Sequence, residues 1–146
     1  MVVNRPPTFG IINQNHTVEH IIQVRSVTGE TPYRTEIQAG THIILADEPE
    51  ESGGQDLGAT PTRYLCSALA SCIGITLRMY ADRKEWKTGA ITVDVELDRS
   101  GDKPVFSIGL RFANTLPEDQ LQRLQLIAGK CPVHKLLHGN NEFRYV

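Results

Sequence analysis

The chain has 146 residues, of which 40% are hydrophobic and 22% charged, with a formal net charge of −2. At that length a single domain over 1–146 is expected, able to bury about 70% of its unfolded surface, and the composition excludes a disordered chain. The near-neutral charge gives no purchase to nucleic acid, no stretch approaches the ~20 apolar residues of a membrane span, and the start has no apolar secretion core, so a cytoplasmic protein with no membrane partner is expected.

Residues 17–24 and 33–37 read as strands, the second followed by the turn signal Ala39-Gly40, and a third strand is predicted from His42 to Ala46. These three make an antiparallel meander. Residues 47–58 hold Pro49, Gly53-Gly54 and several acidic side chains, which favour an exposed loop. Thr60 then suits a helix cap and Pro61 the first helical position, so the longest helix is expected from there to about Trp86. Leu65, Leu69, Cys72, Thr76 and Met79 recur at intervals of three or four and predict its buried stripe, with Cys72 inside it. Cys66 lies about 120° around that helix from Cys72 and roughly 9 Å along it, too far to bond, and is expected to be a small core residue.

Residues 91–97 and 105–112 predict a hairpin joined through Arg99-Ser100-Gly101-Asp102-Lys103-Pro104. Thr115-Leu116-Pro117-Glu118 has the spacing of a capping box, and Leu121, Leu124, Ile127 and Ala128 give the helix after it an apolar side, ended by Gly129. A short helix from Pro132 to about His138 follows, and residues 143–146 are expected to close the sheet as a strand. The class is α+β with a long central helix.

An odd count of three cysteines in a chain without a secretion signal argues for free thiols rather than a disulfide scaffold. Cys72 sits among small residues in Ala68-Leu69-Ala70-Ser71-Cys72, and Cys131 precedes Pro132, so the two read as a redox pair. Cys131, at a predicted helix start, is expected to have the lowered thiol pKa, whereas burial would raise that of Cys72. A nucleophilic Cys72 therefore needs a nearby cation. Cys131, His134 and His138 offer three ligand types on one short helix, but without a second cysteine pair or an acidic cluster they read against a metal site. His16 and His20 in a strand would stand about 13 Å apart, too far to share an ion. His42 and His134 are candidates for polar groups of a pocket or for surface residues.

Gly53-Gly54, Gly58-Ala59-Thr60-Pro61, Ala68-Leu69-Ala70-Ser71-Cys72, Tyr80-Ala81-Asp82-Arg83 and Cys131-Pro132-Val133-His134, in that order and spacing, resemble the OsmC/Ohr family of thiol peroxidases. The earlier run Tyr33-Arg34-Thr35-Glu36-Ile37, with His42 and Ala46-Asp47-Glu48-Pro49, resembles a less characterised OsmC-like branch. The resemblance implies antiparallel sheets around a long central helix in an intertwined homodimer, with two active sites at the interface. It also implies that Cys72 attacks a peroxide and becomes a sulfenic acid, that Cys131 condenses with it to a disulfide, and that a dithiol, often on a lipoylated protein, reduces the pair. No cofactor is called for. Arg34 is the candidate for the activating cation, with Arg25 second. An apolar pocket near Cys72 would favour organic hydroperoxides over hydrogen peroxide. One departure stands out: the carboxylate that the family carries just after the helix-start proline is replaced by Thr62 and Arg63, so Asp47 or Glu48 is the candidate to orient the arginine. With that carboxylate gone, the alternative is a non-catalytic binding or sensing module for a small apolar or thiol-reactive ligand.

Overall fold

The computed structural model describes residues 21–145, which fall into two compact units dividing between Pro61 and Thr62. In the first unit, β1 (Val24–Thr28), β2 (Thr35–Ala39) and β3 (His42–Ala46) form an antiparallel meander in the order β1-β2-β3, as expected. Thr28 faces Thr35 in the register, and their hydroxyls are hydrogen-bonded at 2.8 Å. The predicted first strand lies outside the described residues up to His20, and pairing begins only at Val24. β2 starts two residues later than expected because the Tyr33 N–H is directed to the Asp47 carboxylate instead of a strand neighbour. Gly40 turns the chain into β3 with φ +62, a backbone that favours glycine.

Residues 47–58 form the largely exposed loop expected, but one with internal order. A 3-10 turn, Glu50–Ser52, occupies part of the segment, and Asp47, only 2% exposed, organises the rest. Its Oδ1 accepts from the N–H groups of Tyr33 and Glu48, and its Oδ2 from those of Gln55 and Leu57, at 2.8–3.2 Å. The backbone folds back so closely that a Cβ on Gly54 would lie 1.9 Å from the Glu48 carbonyl oxygen, and one on Gly58 2.1 Å from that of Leu45.

The long helix, α1 (Pro61–Arg83), ends three residues short of the expectation. The Trp86 N–H bonds the Ala81 carbonyl and the Glu85 N–H that of Asp82, with Glu85 left-handed at φ 56, which is the Schellman closure of a helix. The buried stripe shares only Leu69 with the one expected: Leu69, Ile73, Leu77 and Ala81 are buried, Cys72 and Thr76 are half-buried, and Leu65 and Met79 are exposed. Both sets repeat at helical spacing, and the four-residue repeat is the one that meets the remainder of the second unit. By length and a mean hydropathy of 1.3, α1 is apolar enough to cross a membrane, which corrects the expectation that no stretch comes near. Core helices of soluble proteins reach the same values, and here Leu69, Ile73 and Leu77 belong to a core cluster.

β4 (Ile91–Asp98) and β5 (Val105–Phe112) form the expected hairpin, in register from Ile91 against Phe112 to Asp98 against Val105. Ile91, Val93, Val95, Phe106, Leu110 and Phe112 pack on the core cluster. α2 (Glu118–Ala128) buries Leu124 and Ala128. It is not opened by the predicted capping box: the cap position is Pro117, without a side-chain hydrogen bond, and Glu118 and Asp119 complement the helix dipole instead. α3 (Pro132–His138) matches the prediction. The expected closing strand is absent among described residues 143–145, where Phe143 and Tyr145 stand in solvent.

Candidate active site

The second unit brings Cys72 and Cys131 together. Cys131 is the N-cap of α3, its Sγ accepting from the His134 N–H at 3.3 Å, with Pro132 at the first helical position. Leu124 and Ala128 carry α2 onto Leu69, Ile73 and Leu77 of α1, and Cys131, just past the end of α2, enters the same cluster with no exposed surface. Cys72 lies at the edge of that cluster, one residue round the helix from Ile73, and is only partly buried. The two thiols are free, and Cys72 packs against the cluster that holds Cys131.

The expected acidity of Cys131 is overturned. Burial pushes its thiol above the ordinary value, and the contact with Cys72 adds to the rise, against the opposing pull of the His134 and Val133 N–H groups. The helix-start N–H groups still act on this sulfur, but burial outweighs them. The accessibility of the pair is likewise the reverse of the expectation, which had Cys72 as the buried member.

Arg34 stands in the first unit just before β2, its guanidinium 3.7 Å from the Glu36 carboxylate, with both side chains about half exposed. Such a pair holds an arginine weakly. Arg25 lies in β1. Asp47 does not suit the orienting role suggested for it, because backbone N–H groups occupy all four lone-pair positions of its carboxylate. Burial alone would raise this carboxyl, but those four bonds together hold it below the usual range. The first turn of α1 carries no acidic residue.

A cleft of about 420 Å³ opens in the second unit, lined by Ile108, Leu110 and Phe112 of β5, Leu121 and Gln125 of α2, and His134. None of its lining comes from α1, so it differs from the pocket expected among helix residues near Cys72. His134 lines this cleft, and His42 is exposed on β3, one case of each alternative considered for the two histidines. Sequence reasoning missed the link between Tyr80 and Arg123, whose Nε–H donates to the tyrosine hydroxyl at 2.9 Å. No local pattern could have found it, since the two residues are 43 positions apart.

Solved structures share this fold. A protein from Psychrobacter arcticus 273-4, named for osmotic stress induction and a detoxification response, aligns with a TM-score of 0.68 at 22% identity over 82% of this chain and 90% of that one. An OsmC-like protein from Mycoplasma pneumoniae aligns with a TM-score of 0.66 at 19% identity over 84% and 90%. The organic hydroperoxide resistance protein OhrB of Bacillus subtilis aligns with a TM-score of 0.55 at 22% identity over 82% and 92%. At such identities the likeness is one of fold. The sequence matches no functionally curated protein at a significant level. The model of the OsmC-like protein family matches residues 53–146, which hold both cysteines of the pair, and the chain belongs to that family.

Proposed function

We propose that this protein is a cysteine-based peroxidase that reduces organic hydroperoxides. The observation that carries the reading is the thiol pair: a partly exposed Cys72 packed against the core cluster that contains a fully buried Cys131, whose thiol is pushed above its ordinary value by burial. The Cys72 thiolate attacks the distal oxygen of the hydroperoxide and the O–O bond breaks. The alkoxide takes a proton and leaves as the alcohol, and Cys72 becomes a sulfenic acid. The Cys131 sulfur then bonds to that of Cys72, and the sulfenic hydroxyl departs as water with the Cys131 proton. A dithiol of the lipoyl type reduces the disulfide by two exchanges and is itself oxidised to a cyclic disulfide.

Arg34 is the proposed cation for Cys72, with Arg25 as the second choice. A homodimer is proposed on the exposed apolar stripe of α1, where Leu65, Ile75 and Met79 find no cover among the described residues. A cytoplasmic location suits free thiols. Hydroperoxide as the substrate is supported by the fold relative from Bacillus subtilis that is named for resistance to it.

The test is consumption of cumene hydroperoxide and of hydrogen peroxide with a dithiol reductant, by wild type, Cys72→Ser and Cys131→Ser. Turnover that needs Cys72 and prefers the organic substrate is expected. Absence of turnover with either peroxide would refute the reading. A second reading, a non-catalytic binding or sensing module, is favoured by one observation: neither the first turn of α1 nor Asp47 offers a carboxylate free to orient an arginine. Saturable ligand binding without peroxide loss, unchanged in Cys72→Ser, would establish it.

A further inference from the structure

We infer that external thiols exchange with this pair only at Cys72, so that every mixed disulfide with a reductant is carried by Cys72 and Cys131 is always the sulfur released. The inference deepens the redox reading above and takes the Cys72–Cys131 disulfide from it, without depending on the peroxide that forms the bond.

Thiol exchange is a displacement at sulfur in which the attacking thiolate approaches along the extension of the S–S bond, behind the sulfur it attacks. Behind Cys131 there is only protein. The residue has no exposed surface and shares one cluster with Leu69, Ile73, Leu77, Leu124 and Ala128. All of these belong to its own unit, so binding a partner cannot uncover it. Cys72 is only partly buried, and the polar Ser71 beside it on α1, outside the stripe on which the homodimer is proposed, is exposed. One of the two sulfurs can therefore be approached and the other cannot.

The step balances as follows. The reductant thiolate bonds to the Cys72 sulfur, the S–S bond breaks, and its electron pair leaves on Cys131, which takes up a proton. The His134 N–H, 3.3 Å from that sulfur, donates to the departing thiolate until it is protonated. A raised thiol pKa makes Cys131 a slower leaving group, but that slows exchange only by a modest factor, whereas closing the line of approach prevents it.

The test uses the full-length protein, oxidised with diamide, exposed to excess glutathione and quenched with acid, with the adduct located by peptide mass mapping. At least about tenfold more glutathione on Cys72 than on Cys131 is expected. Equal or greater labelling of Cys131 would overturn the inference, and so would failure of diamide to form the disulfide. A second arm, on a Cys66→Ser background, compares Cys131→Ser with Cys72→Ser in reaction with an aromatic disulfide. The variant retaining Cys72 is expected to react at least about a hundredfold faster, and comparable rates would count as refutation. If diamide closes the bond and glutathione adds at Cys72 while hydroperoxide does not close it, the peroxidase reading fails and the exchange assignment stands.

Discussion

The Nε–H of Arg123 on α2 donates to the hydroxyl of Tyr80 on α1 at 2.9 Å, and the guanidinium carbon lies 5.7 Å from the centre of the same ring. Trp86 meets that ring edge-on at 5.7 Å. The polar contact pins α2 alongside the last turns of α1, and the far end of α2 delivers Ala128 and Cys131 to the core. Tyr80→Phe keeps the ring and removes only the hydroxyl. It is expected to cost about 0.5–1.5 kcal/mol in urea unfolding, and a variant as stable as wild type would show that the contact contributes nothing.

Leu124 is fully buried in the cluster that encloses Cys131. Leu124→Ala should cost about 2–5 kcal/mol. The space left also loosens the wall around Cys131, so its alkylation under native conditions, followed by mass mapping, should accelerate. Unchanged protection of Cys131 would show that Leu124 does not contribute to enclosing it.

Glu85 closes α1 in the left-handed conformation at φ 56. Glycine takes that backbone without a Cβ clash, while adding some freedom to the unfolded chain. The first effect is the larger, so Glu85→Gly is expected to gain roughly 0.5–1 kcal/mol, read as a higher Tm. A loss of stability would mean that the glutamate side chain has a role beyond the turn.

The Asp47 carboxyl is held below its ordinary value in the fold, so its contribution to stability has a definite direction with pH. It is fully present above the unfolded value of about 3.9 and is lost as pH falls through the lower folded value. Asp47→Asn removes one acceptor oxygen from a loop that uses both, and should lower Tm by several degrees at neutral pH. The gap from wild type should close in melts carried down to about pH 2. A gap that stayed constant across that range would exclude the carboxylate as its source.

Much of the architecture was legible from local signals. β3, the hairpin of β4 and β5, and α3 stand where alternation, turn residues and Pro132 put them. The buried face of α1 was legible only at Leu69, because the predicted stripe of Leu65, Leu69, Cys72, Thr76 and Met79 and the observed one of Leu69, Ile73, Leu77 and Ala81 both repeat at helical spacing, and only the packing of β4, β5 and α2 selects between them. The start of α2 misled for a related reason: a Thr-to-Glu spacing indicates a capping box only if the chain turns at the threonine, and here it turns at Pro117. The cysteines were identified as a pair from their motifs, but which of them faces solvent depends on α2 folding back over α1, a contact between distant segments. The expected acidity of Cys131 failed with it, since a helix start and a buried sulfur pull in opposite directions.

Both members of the pair belong to the unit that begins at Thr62. A bond between them would therefore tie off most of that unit as one covalent ring, removing chain entropy from its unfolded state and adding about 3–5 kcal/mol to its stability. The redox state would then be written into heat resistance, and a melting curve alone would separate a cell's spent molecules from its ready ones.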